Sequence, residues 1–488
     1  MKPSILTSSA LIIFFVTLST YAEANWPQFR GPGGKSVAEG QSLPSKIDPA
    51  NPLWKTALPT GHSSPAIWGD RIFITAYEDQ KVWMFGLDRT TGDIVWRKSR
   101  AMGQLPRYAH EAASPAIATP ATNGEVVVFQ FGDVGVIATD LEGNKLWEKP
   151  ILVVNDTFGF GSSPMIVGEK LIINADGGVP SALYCLDITT GDEIWSVDRS
   201  SFAYPSYNSP HIWKRTQGTE VLQAGGTQLW SYDLETGEVL WNVGNLPSLL
   251  CPTPTTDNEW VFAGGWATMH VSGTAMIESV FPPNMVLTDE ETTDPAALIK
   301  RFDSDGNGSL SREELPPSRA RDAFNFLDSN TNDEWEFKEL KGFYSERELP
   351  PGRNIFMAIK PTGSGDITES DVKWELRKNL PYVSSPLVYQ NRLYLVKKGG
   401  TISCLNPETG DAYFERKRLG APGEYFASPI GIDGKILVPS ERGVLITLNA
   451  SEEFEILSKV DFSEKLIASP AIVDNRLYVR TDQHLFAF

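Results

Sequence analysis

Two acidic segments in the second half of the chain carry the side chains best suited to chemistry. The first, from 303 to 314, has oxygen-bearing side chains at its first, third and fifth positions, a glycine at its sixth and a glutamate at its twelfth. Calcium prefers oxygen donors, and a twelve-residue loop with this spacing surrounds the ion with them. The predicted ligands are Asp303, Asp305, Asn307, Ser309 (through its backbone carbonyl) and Glu314. The segment therefore predicts a calcium site.

The spacing in the first segment is that of an EF-hand loop, and the second segment, from 328 to 339, fits this pattern less closely. Its predicted ligands are Asp328, Asn330, Asn332, Glu334 and Glu339. Asp333 stands at the sixth position, where glycine normally makes the sharp turn, but aspartate tolerates left-handed backbone better than most residues. Trp335 is bulky for the short strand that pairs two such loops. Either this loop binds a second calcium ion, or it is a metal-poor structural partner of the first.

Helical signals flank both loops. Asp294 followed by Pro295 is typical of a capped helix start, and Ser318 can cap the helix between the loops. The apolar face of the entering helix would consist of Leu298, Ile299 and Phe302. This alternation of helix and loop is what an EF-hand pair requires.

A repeat along the chain indicates which elements carry these loops. Each unit ends in a turn of the type Leu-Asp followed by Thr-Gly, with an aromatic residue four positions after the glycine. The aspartate starts the turn with its own side chain, the glycine supplies a positive φ, and the aromatic ring returns on an outer strand to pack between neighbouring units. The aromatic positions are Trp96, Trp147, Trp195, Trp241 and Phe414.

Each unit begins with a Ser-Pro or Thr-Pro step. The steps lie at Pro65, Pro115, Pro164, Pro210, Pro254, Pro386, Pro429 and Pro470, so six intervals span 41 to 50 residues and one spans 132. Such spacing is typical of four-stranded propeller blades with one insertion. The sequence predicts an all-β fold, an eight-bladed β-propeller with a small α-helical EF-hand insertion in blade five. Two separate β-sandwich domains are the alternative, but no linker composition divides the chain.

The predicted organisation assigns 1–24 to a signal peptide and 25–50 to an N-terminal extension. Residues 51–273 are assigned to the closing outer strand, blades one to four and the first part of blade five, 274–352 to the EF-hand pair insertion, and 353–488 to the rest of blade five and blades six to eight. The last blade has no outer strand after Phe488, whereas Leu53 to Lys55 resemble an outer strand with no blade before it. We expect these segments to pair and close the ring, because closure removes exposed strand edges.

The N-terminal sequence and the net charge indicate where the protein acts and which class of partner is excluded. Lys2 precedes an apolar run from Ala10 to Leu18, and the small-x-small pattern of 22–24 is typical of signal-peptide cleavage before Asn25. The apolar run is too short for a membrane anchor, which needs about 20 residues. We expect an exported protein, periplasmic or extracellular. The net charge of −18 argues against a nucleic-acid partner.

The mature chain resembles bacterial propellers with pyrroloquinoline-quinone-like (PQQ-like) repeats. The segments 25–32, NWPQFRGP, and 61–65, GHSSP, look like the opening of an exported branch of these quinoprotein-like propellers, similar to the outer-membrane-assembly type. The resemblance implies the propeller fold. It does not imply the cofactor, because the repeat is not specific for it.

Catalytic quinone dehydrogenases of this fold use adjacent cysteines and a calcium ion in the channel. Here the cysteines are Cys185, Cys251 and Cys404, none adjacent to another. We therefore expect calcium on the insertion and no PQQ. Nucleophilic triads, phosphate-binding glycine loops and HExxH helices are missing from the sequence, so no catalytic residue is predicted.

The connections between blades bring aromatic and ionisable residues to one face. They are His62, Tyr108, His110, Glu111, Phe160, Tyr207, Tyr382, Glu424, Tyr425 and Phe426. These residues could form a ligand pocket or simply close the channel. The leading hypothesis is a non-catalytic calcium-binding scaffold that binds an unknown protein or glycan on this face. The alternative is a PQQ-dependent dehydrogenase, or another enzyme, acting at the channel mouth.

Overall fold

The computed structural model describes residues 25–102, 113–153, 160–177, 181–200, 206–267, 281–282, 285–288, 290–291, 294–322, 324, 328, 332–344, 352–421 and 423–488. Eight antiparallel four-stranded meanders form the blades, and two of these sheets gain a short fifth strand that pairs in parallel. First strands of neighbouring blades lie in contact, so these strands surround a central channel. The predicted all-β, eight-bladed propeller is confirmed. The predicted signal peptide lies outside the described residues.

Two strands precede the first blade, and four blades follow. The two preceding strands are β1 (Val37–Ala38) and β2 (Trp54–Ala57). Blade one consists of β3 (Ala66–Trp68), β4 (Arg71–Glu78), β5 (Lys81–Asp88) and β6 (Ile94–Ala101), and blade two of β7 (Ala121–Thr122), β8 (Val127–Phe131), β9 (Gly135–Thr139) and β10 (Lys145–Lys149). Blade three consists of β11 (Met165–Val167), β12 (Lys170–Ala175), β13 (Ala182–Asp187) and β14 (Glu193–Asp198), and blade four of β15 (His211–Arg215), β16 (Gly218–Gly225), β17 (Gln228–Asp233) and β18 (Val239–Val243).

The second half of the ring includes all of the described α-helices. Between blades four and six, the elements in chain order are β19 (Thr255–Asp257), β20 (Trp260–Gly265), α1 (Pro295–Phe302), β21 (Ser309–Ser311), α2 (Arg319–Asp322), β22 (Glu334–Glu336), α3 (Phe337–Tyr344), β23 (Ile355–Ile359), β24 (Gly365–Asp366), α4 (Thr368–Asp371) and β25 (Val372–Leu376). Blade six consists of β26 (Leu387–Tyr389), β27 (Arg392–Lys397), β28 (Thr401–Leu405) and β29 (Ala412–Arg418), and blade seven of β30 (Ile430–Ile432), β31 (Lys435–Pro439), β32 (Val444–Asn449) and β33 (Ile456–Asp461). Blade eight contains β34 (Ala471–Val473), β35 (Arg476–Arg480) and β36 (His484–Ala487).

Blade five consists of β19, β20, β23 and β25, with β20 paired directly to β23. The polypeptide between these two paired strands forms a separate unit, called the insert below, which contains α1 to α3 and the two-stranded sheet β21–β22. Its apolar side chains form a cluster of their own, which includes Leu298, Leu310 and Trp335. Within the described residues, no helix is both long and apolar enough to cross a membrane.

The repeated turn explains how neighbouring blades pack. In blade three, Asp187 accepts hydrogen bonds from the backbone amides of Thr189 and Thr190 at 2.8 and 2.9 Å, and Gly191 follows with φ 74°. A Cβ at Gly191 would lie 2.7 Å from the ring of Trp147 in blade two, so the tryptophan occupies the space that a side chain would need. The indole N–H then donates to a carbonyl of the next blade. Such bonds join Trp54 to Arg89, Trp96 to Leu141, Trp147 to Ile188, Trp195 to Leu234, and Trp374 to Pro407.

The ring closes as the sequence predicts. Strand β2 pairs antiparallel with β36, with Trp54 opposite Ala487 and Ala57 opposite His484. The Trp54 ring packs against Tyr478 of blade eight at 6.0 Å between centroids, and its indole N–H donates to Arg89 of blade one at 3.1 Å. A segment from the N-terminus therefore supplies the outer strand of the last blade.

Residues 25–43, here called the strap, lie inside the ring. They contact the first strands of several blades, and β1 pairs parallel with β30. The hydrogen-bonded pairs are Trp26 with Ile67, Pro27 with Thr122, Gln28 with Ile166, Arg30 with Pro386, and Ser36 with Pro429. The segment that the sequence marked only as an N-terminal extension thus joins blades one, two, three, six and seven.

A closed ring of eight hydroxyl groups surrounds the channel where the first strands begin. Each hydroxyl accepts a hydrogen bond of 2.9 to 3.2 Å from the backbone amide of the preceding member. The members of this hydroxyl ring are Ser64, Thr119, Ser163, Ser209, Thr253, Ser385, Ser428 and Ser469. The expected start of blade two at Pro115 is wrong, because Thr119 and not Ser114 belongs to the ring.

Candidate functional site

The insert contains the capped helix that the sequence predicts. Asp294 accepts a hydrogen bond from the backbone amide of Ala296 at 2.9 Å, with Pro295 at the first helical position. Leu298 and Ile299 are buried, so α1 packs its apolar face into the insert. The last turn of α1 leads directly to Asp303 and therefore fixes where the first predicted loop starts.

The first loop brings three of its predicted ligands together. Carboxylate oxygens of Asp303, Asp305 and Glu314 all lie within 4.8 Å of one another. Asp303 accepts hydrogen bonds from the amides of Gly306 and Gly308 at 2.6 and 2.9 Å, which wraps the chain around its carboxylate. Clustered carboxylate oxygens at exposed or half-buried positions are the donors that calcium prefers.

Glu314 faces the start of the loop from its end. Its carboxylate accepts hydrogen bonds from the amides of Ser311 at 2.8 Å and Ser304 at 2.7 Å. These bonds, of which the one from Ser311 has the largest effect, lower the pKa of Glu314 to about 2. The carboxylate is therefore ionised at neutral pH. The other two predicted ligands are in contact: the backbone amide of Ser309 donates to Asn307 Oδ1 at 2.8 Å, and the Ser309 hydroxyl oxygen lies 2.8 Å from the same atom. The five predicted residues therefore lie in one loop whose donor set fits calcium.

The second loop repeats the geometry of the first at matching positions. Asp328 accepts from the amide of Asp333 at 3.1 Å, as Asp303 does from Gly308, and Glu339 accepts from the amide of Glu336 at 3.0 Å, as Glu314 does from Ser311. Asp333 has φ 62°, the left-handed conformation expected at the sixth position. The backbone amide of Asn332, another predicted ligand, donates to Asp328 at 3.0 Å. Asn330 lies outside the described residues.

The two loops are joined by a short sheet and by one polar contact. Leu310 pairs with Trp335 in β21–β22, and the hydroxyl of Ser309 donates to Glu334 of the second loop at 2.9 Å. Trp335 is fully buried and stacks on Phe324 with ring centroids 5.1 Å apart. The bulk of this tryptophan is therefore accommodated in the core of the insert instead of disturbing the sheet.

A separate candidate site is the cavity at the channel mouth, which has a volume of about 180 Å³. Phe29 of the strap and all eight members of the hydroxyl ring line it. Of the predicted residues on the inter-blade connections, His62, Tyr207, Tyr382 and Phe426 also line it. Tyr425 is instead buried and donates to Ala421 O at 2.6 Å, Glu424 binds Lys398 at 3.0 Å, and Phe160 packs in a small core cluster. Tyr108, His110 and Glu111 lie outside the described residues.

The described lining of this channel cavity is a poor match for a quinone cofactor. PQQ is a planar polycarboxylate, which needs cationic side chains, yet the described lining residues include no arginine or lysine. Its volume is also below the about 300 Å³ at which small-molecule sites usually begin. One cysteine, Cys251, lines it. Burial raises the pKa of the other two, to about 12 for Cys185 and about 11 for Cys404, so both thiols are neutral.

Four-stranded blades, the Asp-Thr-Gly turn with its tryptophan and the closing N-terminal strand define the chain as an eight-bladed β-propeller. Residues 37–157 and 158–265 match a family model, PQQ_2, described as outer membrane protein assembly factor BamB. A comparison with curated proteins gives no match.

Solved structures of several propellers share the fold. BamB from Moraxella catarrhalis has a TM-score of 0.54 at 14% identity, with 90% of this chain and 98% of that chain covered. Quinohemoprotein alcohol dehydrogenase from Comamonas testosteroni has a TM-score of 0.55 at 10% identity, with 95% and 80% covered. A europium-containing methanol dehydrogenase has 0.52 at 12% identity, with 93% and 89% covered. Because an assembly factor and dehydrogenases share this fold, function depends on the site.

Proposed function

We propose that this chain is an exported, non-catalytic, calcium-binding propeller that acts as a scaffold for a protein or glycan. In a four-stranded antiparallel blade, the connection from the second to the third strand lies on the same face as the connections between blades. The insert occupies that connection in blade five, between β20 and β23. The partner would therefore bind the face from which the insert projects, here called the crossing face.

The convergence of Asp303, Asp305 and Glu314 within 4.8 Å carries the calcium part of the proposal. Their charges repel one another at neutral pH, and a divalent cation bound among them removes that repulsion. The pairing of Leu310 with Trp335 transmits this effect to the second loop. Calcium would thus stiffen both EF-hand loops and hold the insert in one shape over the crossing face.

Calorimetric titration of calcium into the metal-free protein tests the first loop. Glu314→Gln should weaken the tighter site by more than about tenfold, because it removes a charged ligand. Glu313→Gln is the matched control: it removes the same charge one residue away, from an exposed side chain outside the predicted ligand set. Equal ion number and equal affinity in the two variants would rule out the first-loop site.

The non-catalytic part has its own test, since the alternative is a PQQ-dependent dehydrogenase. The protein is incubated with PQQ and calcium, and quinone absorbance and dye reduction with alcohols are measured. We expect neither, because the described lining of the channel cavity offers no cation for the cofactor's carboxylates. Calcium-dependent quinone absorbance together with dye reduction would replace the scaffold proposal with the enzyme.

Export follows from the apolar run and cleavage pattern before Asn25, and the net charge of −18 disfavours nucleic acid as a partner. Expression of the full chain with a C-terminal tag, followed by fractionation and N-terminal sequencing, tests this. A mature N-terminus at Asn25 in the envelope or medium is expected. An uncut chain in the cytoplasm would contradict it.

A further inference from the structure

A basic groove lies on this acidic protein between blades five and six. Its cavity is about 590 Å³, larger than that of the channel mouth, and no carboxylate is among its described lining residues. The cationic lining residues are Arg377, Lys378, Lys397, Lys398 and Arg416. Five cations around one cavity are unexpected in a chain whose net charge is −18. We call this cavity the basic groove.

Part of this positive charge is uncompensated. Arg377 pairs with Glu375 at 2.7 Å and Lys398 with Glu424 at 3.0 Å. Lys378, Lys397 and the Arg416 guanidinium are exposed and have no side-chain ion pair or hydrogen bond among the described residues. The groove therefore offers three cationic groups to a ligand. Anionic groups bound there would form charge-assisted hydrogen bonds.

An aromatic surface completes the groove. The indole of Trp266 is 51% exposed and meets Tyr382 edge to face at 5.5 Å. The backbone amide of Trp266 donates to Pro381 O at 2.8 Å, which fixes the backbone from which the ring extends. Lys398 Nζ lies 5.5 Å from the centre of the Tyr382 ring. A flat apolar surface bordered by cations is thus held ready at the edge of the channel mouth.

Two residues of the groove adopt backbone conformations that side chains other than glycine rarely take. Asn379 has φ 59° and Arg416 has φ 54°. The Arg416 amide is held by a bond of 3.2 Å to the hydroxyl of Ser403 on the neighbouring strand β28. Asparagine adopts the left-handed region readily, so the conformation of Arg416 is the more unusual of the two and places its side chain at a strained backbone position.

We propose that the basic groove binds a short acidic saccharide, with a sugar ring on the Trp266 indole and its carboxylate or sulfate groups on Lys378, Lys397 and Arg416. This rests on the proposed binding role of the crossing face and names the ligand class. A sugar ring presents C–H groups on one face and polar groups at its edge, which matches an aromatic surface bordered by cations. An acidic peptide would need the cations but no aromatic surface, and a long nucleic acid would be repelled by the net charge of −18.

Calorimetry with tetrasaccharides tests the groove directly. A galacturonate tetrasaccharide and a sulfated galactose tetrasaccharide separate the carboxylate from the sulfate source, and a glucose tetrasaccharide is the neutral control. We expect at least one acidic ligand to bind, more weakly as salt rises, and the neutral one to show no binding. Trp266→Ala and Arg416→Gln should each weaken binding by at least about tenfold.

Lys417→Gln is the matched control, since it removes one charge from the next residue of β29, which does not line the basic groove. It should change affinity by less than about twofold. Equal binding of neutral and acidic ligands, no effect of the groove variants, or tighter binding of oligoglutamate or oligothymidylate would overturn the saccharide assignment. A calcium titration of the same preparation separates the two proposals: normal calcium binding without saccharide binding removes only the ligand class.

Discussion

The propeller and its insert are held together in opposite ways. Around the channel, eight neutral hydroxyl groups each accept one backbone amide bond, and the pattern repeats from blade to blade. In the insert, carboxylate oxygens of three residues lie within 4.8 Å of one another, and the described residues beside them form one small core. Stability of the ring should therefore depend on packing and closure, whereas that of the insert should depend on charge and on a bound cation.

The largest expected effect comes from opening the ring. Deletion of Asn51 to Leu58 removes β2, exposes the edge of β36 and takes away the Trp54 ring between blades one and eight. Truncation of a fully buried tryptophan costs about 3–5 kcal/mol, so the partly buried Trp54 should contribute less than this, and the strand bonds add to its contribution. We expect the cooperative melting transition of the ring to be lost, while calcium binding by the insert in blade five persists.

Leu53→Ala is the control for this deletion, because that side chain is 62% exposed. It should change the free energy of unfolding by less than about 0.5 kcal/mol. A truncated chain that melted as sharply and at the same temperature as the parent would show that closure by β2 is unimportant.

The second prediction concerns packing between blades. In Gly191→Ala the new Cβ would lie 2.7 Å from Trp147, at a position with φ 74°. We expect a loss of about 2–4 kcal/mol in urea unfolding, from backbone strain and from displacement of the ring. Gly168→Ala has a similar φ of 60° but nothing within 4 Å of its Cβ, so only the strain of about 1 kcal/mol should remain. Equal losses would mean that the tryptophan contact contributes nothing.

The third prediction separates the two regions by pH. Burial, with help from the charges of Arg30 and Lys35, lowers the pKa of His211 in the ring from 6.5 to about 3. Below pH 6.5 the unfolded chain therefore binds a proton that the folded chain does not, and the free energy of unfolding should fall by about 1.4 kcal/mol per pH unit. At pH 5 the loss would reach about 2 kcal/mol. Glu314 stays ionised in this range, because its pKa is about 2.

Urea unfolding from pH 7 to pH 5 measures this loss, with His211→Gln as the comparison. The amide can retain a bond to Thr256, which His211 contacts through Nε2 at 3.0 Å, but it does not titrate. The variant should lack the acid-side slope. If both proteins lost stability in parallel, another group in the ring would be responsible.

The same contrast explains what the sequence could predict. The turn motif ends in tryptophans whose contacts are fixed by spacing, so the blade number and the pairing of β2 with β36 follow from the repeat. The start of blade two could not be predicted, because Ser114-Pro115 and Thr119-Pro120 are equivalent as dipeptides. The structure distinguishes them through the inter-blade bonds from Ser64 N to Thr119 Oγ and from Thr119 N to Ser163 Oγ.

Sites assembled across blades were missed for a physical reason. The basic groove combines side chains from three separate stretches, near 266, 377–382 and 397–416, and no spacing rule links them. The strap was equally hidden, since Gln28 and Arg30 act on blades three and six. By contrast, the predicted ligands of each proposed calcium loop lie within twelve residues, so local sequence was sufficient to propose them.

The smallest expected effect concerns the difference between the two loops. The sixth position of the second loop is Asp333, with φ 62°, whereas the sixth position of the first loop is Gly308, with φ 85°. Asp333→Gly should relieve about 0.5–1 kcal/mol of strain and raise calcium affinity of the second loop by about threefold, measured calorimetrically. Asp79→Gly, at φ 51° in the turn between β4 and β5, removes the same charge and similar strain from the ring. It should raise ring stability without changing calcium binding. If Asp333→Gly left the second-loop affinity unchanged while Asp79→Gly stabilised the ring, turn strain would not be what distinguishes the two loops.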